Sequence, residues 1–374
     1  MLRATGTVTV ICFSSASNMD NAGLGEYLTD GTKRLLSSVV KDPLFLAKYS
    51  AIELRQASRR KDVAKEGLHV PLFLIASVTQ SCNLHCAGCY ARANHICFDR
   101  PAGGELSIPE WERIFCEAEA LGISFILLAG GEPLMRREIL YAAAGHPNLL
   151  FPVFTNGTIF DEEIFTLFAE HKNLFPVVSF EGENTDARRG AGTFARISAF
   201  LDELVRRRIM FGQSITVDAD SYASLLDTDF LANLRSAIVL FIEYTAPAGA
   251  SRARELTPAM RKELGGLLAH ARKAVPDKWF ISFPGDEEFM GGCLAAGRGF
   301  FHISPTGAAE PCPFSPYADC NLKDCSLKSA LSSPLFLRLQ KAGLVGGEHS
   351  GGCVLAEREE EVKACAGTGY NACK

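Results

Sequence analysis

Six short apolar runs, at residues 71–79, 123–129, 150–155, 175–180, 211–217 and 238–245, recur through the middle of this 374-residue chain, with helix-patterned stretches between them. Runs of this length, bounded by turn residues, read as strands covered on both faces. Strands separated by helices pair in parallel through right-handed crossovers, so the pattern restricts the chain to an α/β fold built on a parallel sheet. One intervening helix opens at Ser107-Ile-Pro-Glu110, whose serine and glutamate fit a capping box. Six strand-helix units are too few to close an eight-stranded barrel.

The ends of these strands carry the polar motifs. After the first run come Cys82-Asn-Leu-His-Cys86-Ala-Gly-Cys89, and after the second Gly130-Gly131-Glu132-Pro133. Thiolates are soft ligands suited to iron-sulfur clusters, and three of them leave one iron of a cubane open. A zinc knuckle with His85 or His95 as fourth ligand, or a thioredoxin-like Cys-x-x-Cys, uses the same thiols. Haem attachment is excluded, because Tyr90 and not histidine follows Cys89. Glycines let a backbone approach a ligand closely, Pro133 ends the strand without needing a donor, and Glu132 accepts hydrogen bonds from an amino group.

Together the two motifs resemble the radical S-adenosylmethionine (SAM) superfamily. The resemblance implies a partial (β/α)6 barrel of the TIM type. It also implies a 4Fe-4S cluster on Cys82, Cys86 and Cys89, with SAM chelating the open iron and Gly130, Gly131, Glu132 and Pro133 holding its methionyl end. Reductive cleavage then yields a 5′-deoxyadenosyl radical that abstracts hydrogen from a substrate. Asn156, Ser179 and Glu181, at the ends of the third and fourth strands, are expected around the cofactor. Arg189 is expected on its carboxylate, since a guanidinium suits bidentate recognition. The family's aromatic residue before the last cysteine is replaced here by Gly88, with Tyr90 on the other side as its substitute. Glu243 and Tyr244, closing the sixth strand, are candidates for substrate or cofactor contact. Cys97 and Cys116 read as structural thiols.

Length and composition add the remaining organisation. Residues 1–70 read as a helical segment, with helices at 32–40 and 44–64. Residues 71–250 form the barrel, 251–290 a helical connector and 291–374 a small cysteine-rich domain. The last of these holds Cys293-x13-Gly307-x4-Cys312, with a hairpin turning at Pro305-Thr-Gly307. This pattern resembles the start of the SPASM or twitch modules that carry auxiliary iron-sulfur clusters. The resemblance implies Cys293, Cys312 and Cys353 as ligands, with Cys320 or Cys325 as the fourth; a structural zinc site from the same thiols is the alternative. A formal net charge of −5 and the lack of a long basic run disfavour nucleic acid as a partner. No apolar run approaches the length of about 20 residues that spans a bilayer. The apolar stretch near Val8 is too short for a signal peptide, and a thiol-rich cluster protein suits a reducing cytoplasm and an anaerobic host.

The expected activity is radical SAM chemistry on a peptide, as in maturases with this C-terminal module. An enzyme of small-metabolite or cofactor biosynthesis is the alternative within the same chemistry. A non-catalytic cluster scaffold or electron carrier is the alternative outside it, and it has no need of the Gly-Gly-Glu-Pro strand end. An electron donor such as flavodoxin or ferredoxin is expected as partner.

Overall fold

The computed structural model describes residues 43–246, 251–347 and 352–367, so the helix expected at 32–40 lies outside them. Helix α1 (Pro43–Ala64) lies against the outside of the barrel. There Gln56 donates to the Asn148 carbonyl at 2.8 Å, and Arg60 to the Gly122 carbonyl at 2.6 Å.

Seven parallel strands follow: β1 (Phe73–Thr79), β2 (Phe125–Gly130), β3 (Phe151–Thr155), β4 (Leu174–Ser179), β5 (Gly212–Val217), β6 (Ile238–Glu243) and β7 (Trp279–Phe283). Between them run α2 (Ile108–Leu121), α3 (Arg137–Ala144), α4 (Glu162–Glu170), α5 (Thr193–Arg206), α6 (Thr228–Asn233) and α7 (Pro258–Ala274). The capping box opens α2 as expected, with Glu110 accepting from the Ser107 backbone N–H at 2.6 Å. Strand β7 is the departure from the six expected. The segment 251–290 supplies both a helix and a sheet strand, because the short run Trp-Phe-Ile-Ser-Phe pairs in register with β6.

The sheet order is β7-β6-β5-β4-β3-β2-β1-β8-β9, an open and mostly parallel sheet. Strands β8 (His302–Ile303) and β9 (Ala309–Glu310) are the antiparallel hairpin predicted around Pro305-Thr-Gly307, and β8 lies parallel beside β1. The buried His302 fastens this hairpin to the barrel, bonding the Ser77 hydroxyl at 2.8 Å and the Glu310 carboxylate at 2.6 Å.

The main core lies between sheet and helices. Trp111, Ile114, Phe115 and Ala118 form one stripe of α2, and Ile197, Phe200, Leu201 and Leu204 one stripe of α5, all fully buried. Each such side chain contributes about 1.5–3 kcal/mol of apolar burial. Along β2, Ile126 and Leu128 are buried while Phe125 and Leu127 are only partly covered, and β3 alternates in the same way. One face of the sheet therefore packs on helices, and the other borders an open interior.

Candidate active site and a second cysteine centre

The carboxyl ends of β1, β2 and β3 meet at Glu132, which is almost fully buried. Its carboxylate accepts from the Thr155 hydroxyl at 2.7 Å, the Asn156 backbone N–H at 2.7 Å and the Leu134 N–H at 3.0 Å. Burial pushes its pKa up to about 7 against the pull of those three donors. Gly131 is needed here because the chain runs hard against the end of β1. A Cβ on it would lie 2.0 Å from the Ser81 carbonyl oxygen, which also accepts from the Glu132 N–H at 2.7 Å. The Gly-Gly-Glu-Pro segment is thus joined directly to the start of the cysteine loop.

Asn156 braces that loop from the other side. Its amide donates to Asn83 at 2.9 Å and approaches the Cys82 sulfur at 4.0 Å, while its oxygen accepts from the Thr158 N–H at 2.9 Å. Cys97, read from the sequence as a structural thiol, instead lies against Cys82. Its hydrogen bond is the main reason the Cys82 pKa falls to about 6, with the Leu84 N–H and Arg92 adding to it and burial opposing. These contacts favour the Cys82 thiolate, the form that ligates metal. Burial raises Cys86, and the Arg189 guanidinium reaches its sulfur at 3.9 Å. His85, one of the zinc-ligand candidates, is exposed and pairs with Asp99 at 2.9 Å.

The end of β4 differs from expectation in which arginine is available. Arg189 is bound to the buried Glu181 through two bonds of 2.7 and 2.5 Å, so its fork is already filled. Its neighbour Arg188 has its Nε and Nη1 buried without a hydrogen-bond partner, 3.7 Å from Glu181, and its backbone carbonyl holds the Ala87 N–H at 2.7 Å. Ser179 bonds only Ser214 among the described residues, at 3.1 Å between hydroxyls.

The aromatic place at Gly88 is filled, though not by Tyr90. A Cβ built on Gly88 would meet the Tyr244 ring at 2.5 Å, so the ring from the end of β6 takes the space beside a glycine with φ of +72°. Tyr90 packs instead on Phe314 of the C-terminal segment, with ring centroids 4.9 Å apart. Glu243, beside Tyr244, is buried and accepts from Arg261 at 2.9 Å.

The second group of thiols is Cys293, Cys312 and Cys353. The Gly346 N–H bonds the Cys293 carbonyl at 3.1 Å, and the Ala296 N–H bonds the Pro311 carbonyl at 3.1 Å, so distant segments are drawn to one place. Burial raises all three pKa values, Cys353 to about 11, and the nearby Glu287 charge adds to each. Cys320 and Cys325, expected as alternatives for a fourth ligand, are joined to each other as a disulfide, which leaves neither as a thiolate.

Among the described residues, no three His, Cys, Asp or Glu side chains converge on a point as a single metal ion requires. The chemistry present fits a cluster with a chelating ligand: a loop of three thiols, one with its thiolate favoured by its neighbours, beside a buried carboxylate acceptor and an arginine with unused buried donors.

Comparison with known proteins agrees. Residues 76–217 match the Radical SAM superfamily. The chain is 28% identical over 323 residues to the mycofactocin maturase MftC of Mycobacterium ulcerans, spanning 78% of this chain and 85% of that protein. It is 24% identical over 335 residues to the AdoMet-dependent heme synthase of Methanosarcina barkeri, spanning 81% and 93%. The crystal structure of Streptococcus suis SuiB bound to S-adenosylmethionine shares the fold, with a TM-score of 0.60 at 17% identity over 73% of this chain and 68% of that one. No helix among the described residues is long and apolar enough to cross a membrane.

Proposed function

This chain is a radical SAM enzyme with its Radical SAM domain at residues 76–217, and from that premise we propose that it modifies a peptide. The observation that carries the reading is the likeness to the mycofactocin maturase, which reaches over 78% of this chain and so well beyond the Radical SAM domain alone. Cys82, Cys86 and Cys89 hold the 4Fe-4S cluster. Glu132 receives the amino group of SAM, Arg188 its carboxylate, and Tyr244 forms the aromatic wall that Gly88 makes room for. When bound, the cluster and SAM supply a carbon radical that takes a hydrogen atom from the substrate. Cys293, Cys312 and Cys353 hold an auxiliary cluster in the segment 291–374, and a flavodoxin or ferredoxin supplies electrons in the cytoplasm.

Arg188 carries a direct test. Arg188→Ala is expected to weaken SAM binding about 10–100-fold, the loss of one charge-assisted pair, with iron content unchanged in equilibrium dialysis of the reconstituted protein. Unchanged affinity in that variant, with weakened binding in Arg189→Ala, would return the role to Arg189.

The peptide reading is tested by anaerobic incubation with SAM, dithionite and a library of short synthetic peptides. A mass change in the peptide with matching 5′-deoxyadenosine supports it. The likeness to the heme synthase, covering 93% of that protein, favours a tetrapyrrole as second reading. A Soret shift on adding an iron porphyrin, with 5′-deoxyadenosine formed only in its presence, would favour that reading over the peptide.

A further inference from the structure

We propose that Glu287 is the fourth ligand of the second cysteine centre, completing an iron-sulfur site with Cys293, Cys312 and Cys353. The inference rests on the reading of these thiols as an auxiliary cluster site, and it names the donor that the Cys320–Cys325 disulfide removes from consideration.

Placement comes first. Glu287 lies in the 3-10 turn Gly285–Met290, just before Cys293. The chain folds back so that its carbonyl accepts from the Gly292 N–H at 2.9 Å and its carboxylate accepts from the Leu294 N–H at 3.1 Å. The carboxylate therefore stands beside Cys293, whose carbonyl accepts from the Gly346 N–H at 3.1 Å, while the Ala296 N–H bonds the carbonyl of Pro311, next to Cys312, at 3.1 Å.

Compensation is the second argument. Burying a carboxylate is costly unless a cation or several donors meet it. Every other buried acid among the described residues is met in this way. Asp218 has Arg254, Glu181 has Arg189, Glu243 has Arg261, Asp286 has Arg272, Glu310 has His302 and Glu132 has three donors. Glu287 is only 5% exposed yet has one backbone N–H, and among the described residues no cation lies within ion-pair distance of it. The nearby Arg298 binds the carbonyls of Met290, Gly292 and Cys293 at 2.5, 2.7 and 3.0 Å.

The third argument is charge and donor type. Cys293 and Cys312 are buried as this carboxylate is, and a metal centre supplies the positive charge that a buried carboxylate without an ion pair lacks. Iron accepts carboxylate oxygen as well as thiolate sulfur.

The test isolates the second centre by changing Cys82, Cys86 and Cys89 together to alanine and reconstituting the full chain anaerobically with iron and sulfide. This background is expected to hold about four irons per chain and to give a reduced-cluster EPR signal. Adding Glu287→Ala is expected to lower iron to about three per chain and to change the EPR signal, since three thiols still hold the rest of the cluster, whereas Glu287→Cys keeps about four irons and shifts the g values. Cys365→Ala, removing another described thiol of this region, is expected to change neither. Full iron and an unchanged spectrum in Glu287→Ala would overturn the assignment, as would loss of iron in Cys365→Ala with Glu287→Ala intact. An unchanged g pattern in a folded, iron-loaded Glu287→Cys would also overturn it, even where the alanine variant fails to fold. A background that binds no iron would overturn the auxiliary centre itself and the assignment with it.

Discussion

Replacing Cys86 by alanine is expected to reduce 5′-deoxyadenosine formation to background and to lower reconstituted iron by about four per chain, the content of one cubane. The loop offers three thiols within one turn of chain, and a cubane that leaves one iron open for SAM needs all of them. Cys86 sits between Cys82, whose thiolate Cys97 favours, and the Arg189 guanidinium, whose N–H reaches its sulfur at 3.9 Å. Two thiolates cannot hold three corners of the cluster, so the loss is all or none. The barrel core lies elsewhere, between Leu74, Val78, Phe115 and their neighbours, so the far-ultraviolet circular dichroism should stay that of the parent. Retained SAM cleavage in this variant would remove the cysteine loop from its assigned role.

The second large effect belongs to Glu132. Its three donors hold the carboxylate at the junction of β1, β2 and β3, and burial sets its pKa at about 7, well above an ordinary carboxylate. An amine bonds most strongly to an ionised carboxylate, so SAM affinity is expected to rise as pH is taken from 6 to 8. Glu132→Gln is expected to weaken binding about 10–100-fold at pH 8 and to flatten that pH dependence. Linkage has the opposite sign for the cofactor-free fold. The native state keeps a proton that the unfolded chain gives up near 4.5, so this group's contribution to stability is fully present below 4.5 and is lost as pH rises through about 7. Binding isotherms and thermal melts of wild type and Gln variant at pH 6 and 8 measure both. An affinity independent of pH in the wild type would separate Glu132 from the bound amine.

Much of the scaffold was legible because its cause is local. A short apolar run bounded by turn residues reads as a strand without knowing its partners, and the six expected runs became β1 to β6 with ends shifted by a few residues at most, although one face of the sheet borders an open interior instead of a second covering layer. The three-cysteine loop, Gly-Gly-Glu-Pro and the hairpin at Gly307 are each contained in a few consecutive residues, so their chemistry can be read without knowing what lies opposite. Strand β7 was hidden because a five-residue run behind a long helix becomes a strand only by pairing with β6.

The rest depends on which distant segments meet. Arg188 and Arg189 are adjacent and chemically identical, and only the position of Glu181 leaves one filled and the other with unused donors. Gly88 reads as a missing aromatic until the end of β6 brings Tyr244 onto it. Cys97 becomes a partner of Cys82, Cys320 and Cys325 become each other's partners, and Glu287 stands beside Cys293 without an ion pair for the same reason. Residue type and short-range spacing, which the chain carries by itself, determined the fold class and the thiol loop. Burial, charge compensation and contact across the sheet are properties of packed segments, and they decided which side chains complete each site.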